Sequence, residues 1–298
     1  MITRTIGLSL CLSIVFLTTG KAQQVPDTST FFVIDKMTYP DKDGPLIYVD
    51  AGHNNFHTLA GRYVAFGNVL AADGYQLADQ PDEITPAVLE KCEVYVIANP
   101  LHESNVGNWE NPCLSAFSEQ EITALKNWVA EGGCLFLIAD HMPFGGAAKD
   151  LGAAFGVEWL NCFAMDNRRR SADRFSHKRG NLGKVGVTEN ISMVVTFTGS
   201  AFKAPATASV VVGLDENFTL LSPAVAWQFD DDSLYEPGAG WQQLAYFPYE
   251  KGKVVVSGEA AMFSAQLSGP REQKVGMNSE LAKENVQLLR NLVSWLVD

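Results

Sequence analysis

Apolar positions along the chain come in short blocks separated by amphipathic stretches. Residues 46–49 (LIYV), 94–98 (VYVIA) and 135–139 (LFLIA) are continuous apolar runs of four or five. That is the pattern of strands buried on both faces. A weaker run, 75–78 (YQLA), reads as a further strand. Between these blocks the period changes to that of a helix. Leu59, Tyr63, Phe66 and Leu70 recur at helical spacing before Gly74. Thr85-Pro86 gives an N-cap followed by proline at the first helical position of a short helix to about residue 91. Ser118 and Glu121 have capping-box spacing ahead of Ile122, Leu125, Trp128 and Val129, and Gly132-Gly133 stops that helix. Residues 147–155 read as a fourth helix.

Four alternations of strand and helix predict an α/β fold with a mostly parallel sheet, doubly wound, with helices on both faces. The second half reads differently. Residues 207–213 predict a strand. Residues 241–249 and 253–257 flank Glu250-Lys251-Gly252 as a hairpin, and residues 281–297 close the chain as an amphipathic helix. Residues 165–185 read as an irregular basic stretch. Residues 23–44, polar and proline-containing, read as an arm before a single α/β domain over 45–298.

The first 22 residues stand apart. Arg4 precedes an apolar run from Ile6 to Leu17, and small residues follow to Ala22. This is the layout of a secretory signal peptide cleaved near Ala22, predicting export to the periplasm or the medium. The run is too short for a membrane anchor, which needs about 20 apolar residues, so no stable anchor is expected. The chain carries a net charge of −12, which argues against nucleic acid as a partner, since phosphate binding needs an excess of Lys and Arg.

Cys92, Cys113, Cys134 and Cys162 remain after cleavage, with neither CxxC nor zinc-finger spacing. The predicted order puts Cys113 and Cys162 near the carboxyl edge of the sheet and predicts a Cys113–Cys162 disulfide. Cys92 and Cys134 begin neighbouring parallel strands and are expected to stay free.

Residues 252–263 (GKVVVSGEAAMF), 285–295 (NVQLLRNLVSW) and 132–139 (GGCLFLIA) ahead of Asp140-His141 resemble the class I glutamine amidotransferase-like superfamily. Within it they are similar to ThuA-like proteins and to a domain shared with gliding-motility transport accessory proteins. The resemblance implies a flavodoxin-like sheet and, through the ThuA-like kinship, a carbohydrate-like ligand. Amidotransferases of the superfamily carry a nucleophilic cysteine at the turn after the strand corresponding to 135–139. Here that turn reads Ala139-Asp140-His141-Met142-Pro143, without cysteine, and Cys134 lies at the strand's other end.

Ligands of open parallel sheets bind beyond the carboxyl ends of the strands. There the sequence places His53, Asn54, Asn55 and His57, then Asn99 and His102, then Asp140 and His141, and finally Glu259. Four of the five histidines fall at that edge. Asp140, His141, His53, His102 and Glu259 are the catalytic candidates, expected around a single pocket. Asn54, Asn55, His57 and Asn99 are ligand-binding candidates. Two chemistries fit this set. His53, His57, His102 and His141 are residue types that hold a divalent metal and activate water. Alternatively, a histidine base works with Asp140 or Glu259 without metal. Arg169 and Arg170, in the basic stretch, either form an anion clamp over the pocket or belong to a solvated charge run. The expected activity is hydrolysis of a small polar or carbohydrate-like substrate; a ligand-binding or accessory module that lost the nucleophile is the competing reading.

Overall fold

The computed structural model describes residues 24–168, 172–231 and 233–298. The expected leader, Arg169 and Arg170 lie outside the described residues. In chain order the elements are β1 (Gln24–Pro26), β2 (Leu46–Asp50), α1 (Val64–Ala72), β3 (Gln76–Gln80), α2 (Pro86–Leu89), β4 (Val94–Ala98), α3 (Glu119–Ala130), β5 (Cys134–Ile138) and α4 (Phe144–Ala154). There follow β6 (Glu158–Leu160), β7 (Phe163–Asp166), β8 (Asp173–Ser176), β9 (Met193–Thr196), β10 (Ala201–Lys203), β11 (Ser209–Gly213), β12 (Phe218–Ser222) and β13 (Leu234–Pro237). The chain closes with β14 (Gln242–Tyr249), β15 (Gly252–Ser257), β16 (Ala265–Ser268), β17 (Gln273–Gly276) and α5 (Asn285–Val297).

A nine-stranded sheet runs in the order β3-β2-β4-β5-β15-β14-β10-β6, with β11 also paired to β14. The strands from β3 to β15 are parallel to their neighbours, and the rest are antiparallel. The sheet therefore is mostly parallel where the apolar blocks predicted it. Alternation within those blocks divides the core. Val94, Val96, Phe136 and Ile138 face one layer with Phe66, Leu70, Leu289 and Leu292 of α1 and α5. Tyr95, Ile97, Leu135 and Leu137 face the other with Leu89, Leu125, Val129 and Leu151 of α2, α3 and α4. Both layers are nearly dry, which is why these strands carry no polar face.

Local signals set the helix ends. Ser118 and Glu121 form a reciprocal capping box on α3, and the Thr85 side chain accepts from Val88 N ahead of Pro86. Helix α1 starts at Val64, later than the apolar spacing suggested, because the Asp79 carboxylate takes the N–H groups of Leu59 and Ala60. The arm lies against the fold. β1 pairs with β16, and Thr38 donates through N and Oγ1 to the buried Asp73, which also receives a two-pronged ion pair from Arg290.

The stretch 165–185 is not irregular. It contributes to β7 and β8, which join a sheet of order β13-β12-β7 and a β8–β9 pair. Two of its described arginines are held in ion pairs within the fold. Arg168 and Arg179 pair with Asp166 and Asp215.

The expected disulfide is absent: all four described cysteines are free thiols. The Asn161 amide bonds Gly146 N and the Cys113 thiol, while Cys162 turns into the core beside Ala164 and Phe175. Burial pushes the Cys92 and Cys162 thiols up to about 12.

Candidate functional site

Register brings distant residues to one edge. Ala98 pairs with Ile138, and Ile138 with Ser257. Asn99, Asp140 and Glu259, one or two positions further on, therefore leave the sheet side by side. The β2 loop is laced to its neighbour by backbone hydrogen bonds, Phe56 N to Asn99 O and Leu101 N to His53 O.

One group forms around Asn99, which adopts a left-handed backbone (φ 51°) that asparagine tolerates. Its Oδ1 accepts from Asp140 N at 2.8 Å, and its Nδ2 donates to His57 Nδ1 at 3.1 Å. The donor on Asn99 makes His57 Nδ1 the acceptor, so the proton of the neutral ring sits on Nε2, a buried atom with no hydrogen-bond partner. Burial, then the charges of Arg62 and His141, push His57 down to about 3, so the ring is neutral at physiological pH.

Asp140 accepts from His141 N at 2.7 Å and from Ala260 N at 3.4 Å. It therefore fixes the turn rather than the His141 ring. That ring is set by its own neighbour: Nδ1 donates to Met142 O at 2.7 Å. Nε2 is left with a lone pair, in a ring stacked on Phe163 at 4.6 Å and met edge-on by Trp227 at 4.8 Å.

Glu259 is wholly buried and accepts from the backbone N–H of Met262, Ala261 and Phe197 at 2.6, 3.2 and 3.3 Å. Burial, then the Asp140 charge, push its carboxyl well above the usual range, against the pull of those donors. The approach of the 197–200 segment depends on Gly199 (φ 130°), where a Cβ would lie 2.5 Å from Gly258 O.

A second group forms around His53. Its Nδ1 lies 2.9 Å from both oxygens of Asp50, and its Nε2 lies 2.9 Å from Glu121 Oε1. Burial alone would lower its pKa, but hydrogen bonds and charges from Asp50 and Glu121 outweigh burial and leave it raised. Tyr95 OH and Asn55 Nδ2 complete the shell of Asp50. This histidine is a pin between the β2 loop and α3.

The expected single pocket of His53, His102, Asp140 and His141 is thus divided. His53 is locked between two carboxylates. His102 caps a short turn through Ser104. Asn54 donates to Leu101 O, and Asn55 serves His53 N and Asp50. As ligand-binding candidates, Asn54, Asn55 and Asn99 are all engaged in internal bonds. The four histidines have different hydrogen-bond partners, although the His141 charge reaches His57, and among the described residues no three His, Cys, Asp or Glu side chains are grouped to hold a metal. Sequence reasoning missed Met142 O as the group that orients His141, because a backbone carbonyl leaves no signature in residue type. It also missed Trp227 and Phe163, whose only signal was aromatic content in a stretch without clear periodicity.

No family model matches the chain. No curated protein matches it. Solved structures do. The mmIFT52 N-terminal domain shares 16% identity over 85% of this chain and 97% of its own, with a TM-score of 0.60. Protein STM3548 from Salmonella typhimurium shares 12% over 85% of this chain and 98% of its own, at 0.51. A ThuA-like protein from Bacteroides uniformis ATCC 8492 shares 14% over 89% and 95%, at 0.47. At these identities the likeness is one of fold: the chain has the mixed α/β architecture of the first two, and ThuA-like proteins are among its structural neighbours.

Proposed function

We propose that the chain is an exported hydrolase of a small polar or carbohydrate-like substrate, with His141 as general base at the carboxyl edge of the sheet. The observation that carries this reading is the 2.7 Å contact of His141 Nδ1 with Met142 O. A histidine whose Nδ1 proton is held by a carbonyl presents Nε2 as a base, and general-base catalysis asks for such a tautomer. Asp140 is a positioning residue: its two oxygens hold the N–H groups of His141 and Ala260 and so fix the turn. His141 stands where the superfamily's nucleophilic cysteine would be expected, and His57 and Glu259 lie behind it as buried support. We read the sheet as the flavodoxin-like arrangement, with β3-β2-β4-β5-β15 as its parallel part. Export rests on the apolar run of residues 6–17 behind Arg4.

A second reading, a ligand-binding module, is favoured by the engagement of both His53 ring nitrogens and of the Glu259 carboxylate in internal bonds. A panel of nitrophenyl esters and glycosides separates the two. The hydrolase reading expects turnover that falls at least about a hundredfold in His141→Gln, the lower size of an acid–base contribution. In Asp140→Asn an amide N–H₂ meets one backbone N–H, so kcat should fall by a similar factor of about a hundred with KM little changed. No turnover on any member, or full activity in His141→Gln, sinks the hydrolase reading.

A further inference from the structure

The rim around His141 is aromatic, and the segments that carry it are acidic. Trp227 is 51% exposed and Phe229 41%, both large values for such side chains, and both pack on the buried Phe163 at 4.5 and 5.2 Å. Trp227 meets the His141 ring at 4.8 Å. Its backbone is left-handed (φ 67°), a conformation that bulky residues rarely adopt and that persists where the surroundings over-determine it. Trp109 closes the other side of His141 at 6.0 Å and is tied to the same flap, since Ala226 N donates to Trp109 O and Glu110 bridges Val225.

Charge selects the occupant. Asp230, Asp231 and Glu110 are exposed on these two segments. No Lys, Arg or His occurs between Lys203 and Lys251, nor between His102 and Lys126. Arg168 and Arg179 are paired with Asp166 and Asp215 at the other end of β7 and β12. Deeper in the same aromatic run, Phe56 already carries a cation, with the Arg62 guanidinium 3.8 Å from its centroid. Trp109 links the two ends, 5.5 Å from Phe56 and 6.0 Å from His141. Trp227 and Phe229 repeat the ring chemistry at the surface and add carboxylates. A ring face beside carboxylates attracts an alkylated ammonium group through its quadrupole and their charge, and repels the anion that a basic clamp would have taken.

We propose that Trp227 and Phe229, with Asp230, Asp231 and Glu110, form a binding site for an organic cation bearing an alkylated ammonium group, placed beside His141 Nε2. The inference rests on the hydrolase reading only in making this cation part of the substrate. Binding is measured apart from turnover. The full chain is titrated with choline and with 3,3-dimethylbutan-1-ol, its neutral isostere, by calorimetry and tryptophan fluorescence. Saturable choline binding is expected, with the isostere weaker by about two- to fivefold, the factor that corresponds to a cation–π contact at an exposed site. Trp227→Ala should lose choline binding by a similar factor while still unfolding cooperatively, and Trp227→Phe should keep most of it. No choline binding, equal binding of the isostere, or undiminished binding in Trp227→Ala overturns the proposal. His141→Gln should still bind choline. Choline binding of this pattern in a chain without hydrolytic turnover would sink the hydrolase reading and leave the cation site standing.

Discussion

Asn99 holds His57 by a single hydrogen bond, Nδ2 to Nδ1 at 3.1 Å, and its other end is fixed by the backbone N–H of Asp140. The tautomer of a buried histidine is thus set from the end of the neighbouring strand. Asn99→Ala leaves both the Asp140 N–H and the His57 ring without their partner, and the left-handed backbone at residue 99 disfavours alanine as well. Denaturant unfolding should show a loss of about 1–3 kcal/mol. A loss within about 0.5 kcal/mol, the usual scatter of a surface substitution, would show that the bond does not matter to the fold.

Two histidines give the stability of this protein opposite pH dependences. His57 is depressed to about 3 when folded, from an unfolded value of 6.5. Between those values the unfolded chain binds more protons, so this contribution is lost as pH falls below 6.5. His53 is raised when folded. Its contribution is fully present below 6.5 and is lost as pH rises through the folded value. Urea midpoints of wild type minus His53→Gln should therefore shrink above pH 6.5, and those of wild type minus His57→Phe should shrink below it. Parallel curves for either pair would contradict the assignment.

Arg290 reaches from α5 to Asp73 at the end of α1, with contacts of 2.8 and 2.9 Å to a carboxylate that is wholly buried. Arg290→Met leaves that carboxylate with only the donors of Thr38. Stability should drop by about 3 kcal/mol, the usual size when one partner of a buried pair is removed. Unfolding by guanidinium chloride measures it, and a neutral substitution would place the pair among exposed ones.

The thiols offer a direct chemical check. Cys92 and Cys162, with thiols pushed up to about 12, should resist iodoacetamide in the folded protein at pH 8 and react once it is unfolded without reductant. Mass spectrometry should then count carbamidomethyl groups on Cys92, Cys113, Cys134 and Cys162 alike. A pair that stays unmodified until reduction would show a disulfide.

Strand and helix types in the first half were legible because their physical causes are local. Continuous apolar runs at 46–49, 94–98 and 135–139 admit few arrangements other than strands covered on both faces, and Ser118-Glu121 and Thr85-Pro86 state their helix starts within four residues. The side-by-side placement of the loops after β2, β4 and β5 followed from the same alternation. The second half was less legible: β6 to β13 are short, half-buried strands in three sheets, and their partners lie far off in sequence, as with Phe218 and Asp166.

Residue types also named the residues that follow the carboxyl ends of the strands, His53, His57, Asn99, Asp140, His141 and Glu259, from their places after apolar runs. What each does there was decided by tertiary structure alone. His53 and His141 are the same residue at equivalent strand ends. One meets Asp50 and Glu121, which raise its pKa and engage both ring nitrogens; the other meets a backbone carbonyl through Nδ1 alone. Cys113 and Cys162 were expected at the same edge, yet they stay apart: Asn161 is turned to Gly146 and Cys113, while Cys162 is turned into the core. Sequence spacing fixes which positions reach an edge. The direction of each side chain and the protonation of each ring depend on partners that only the folded chain brings within 3 Å of them.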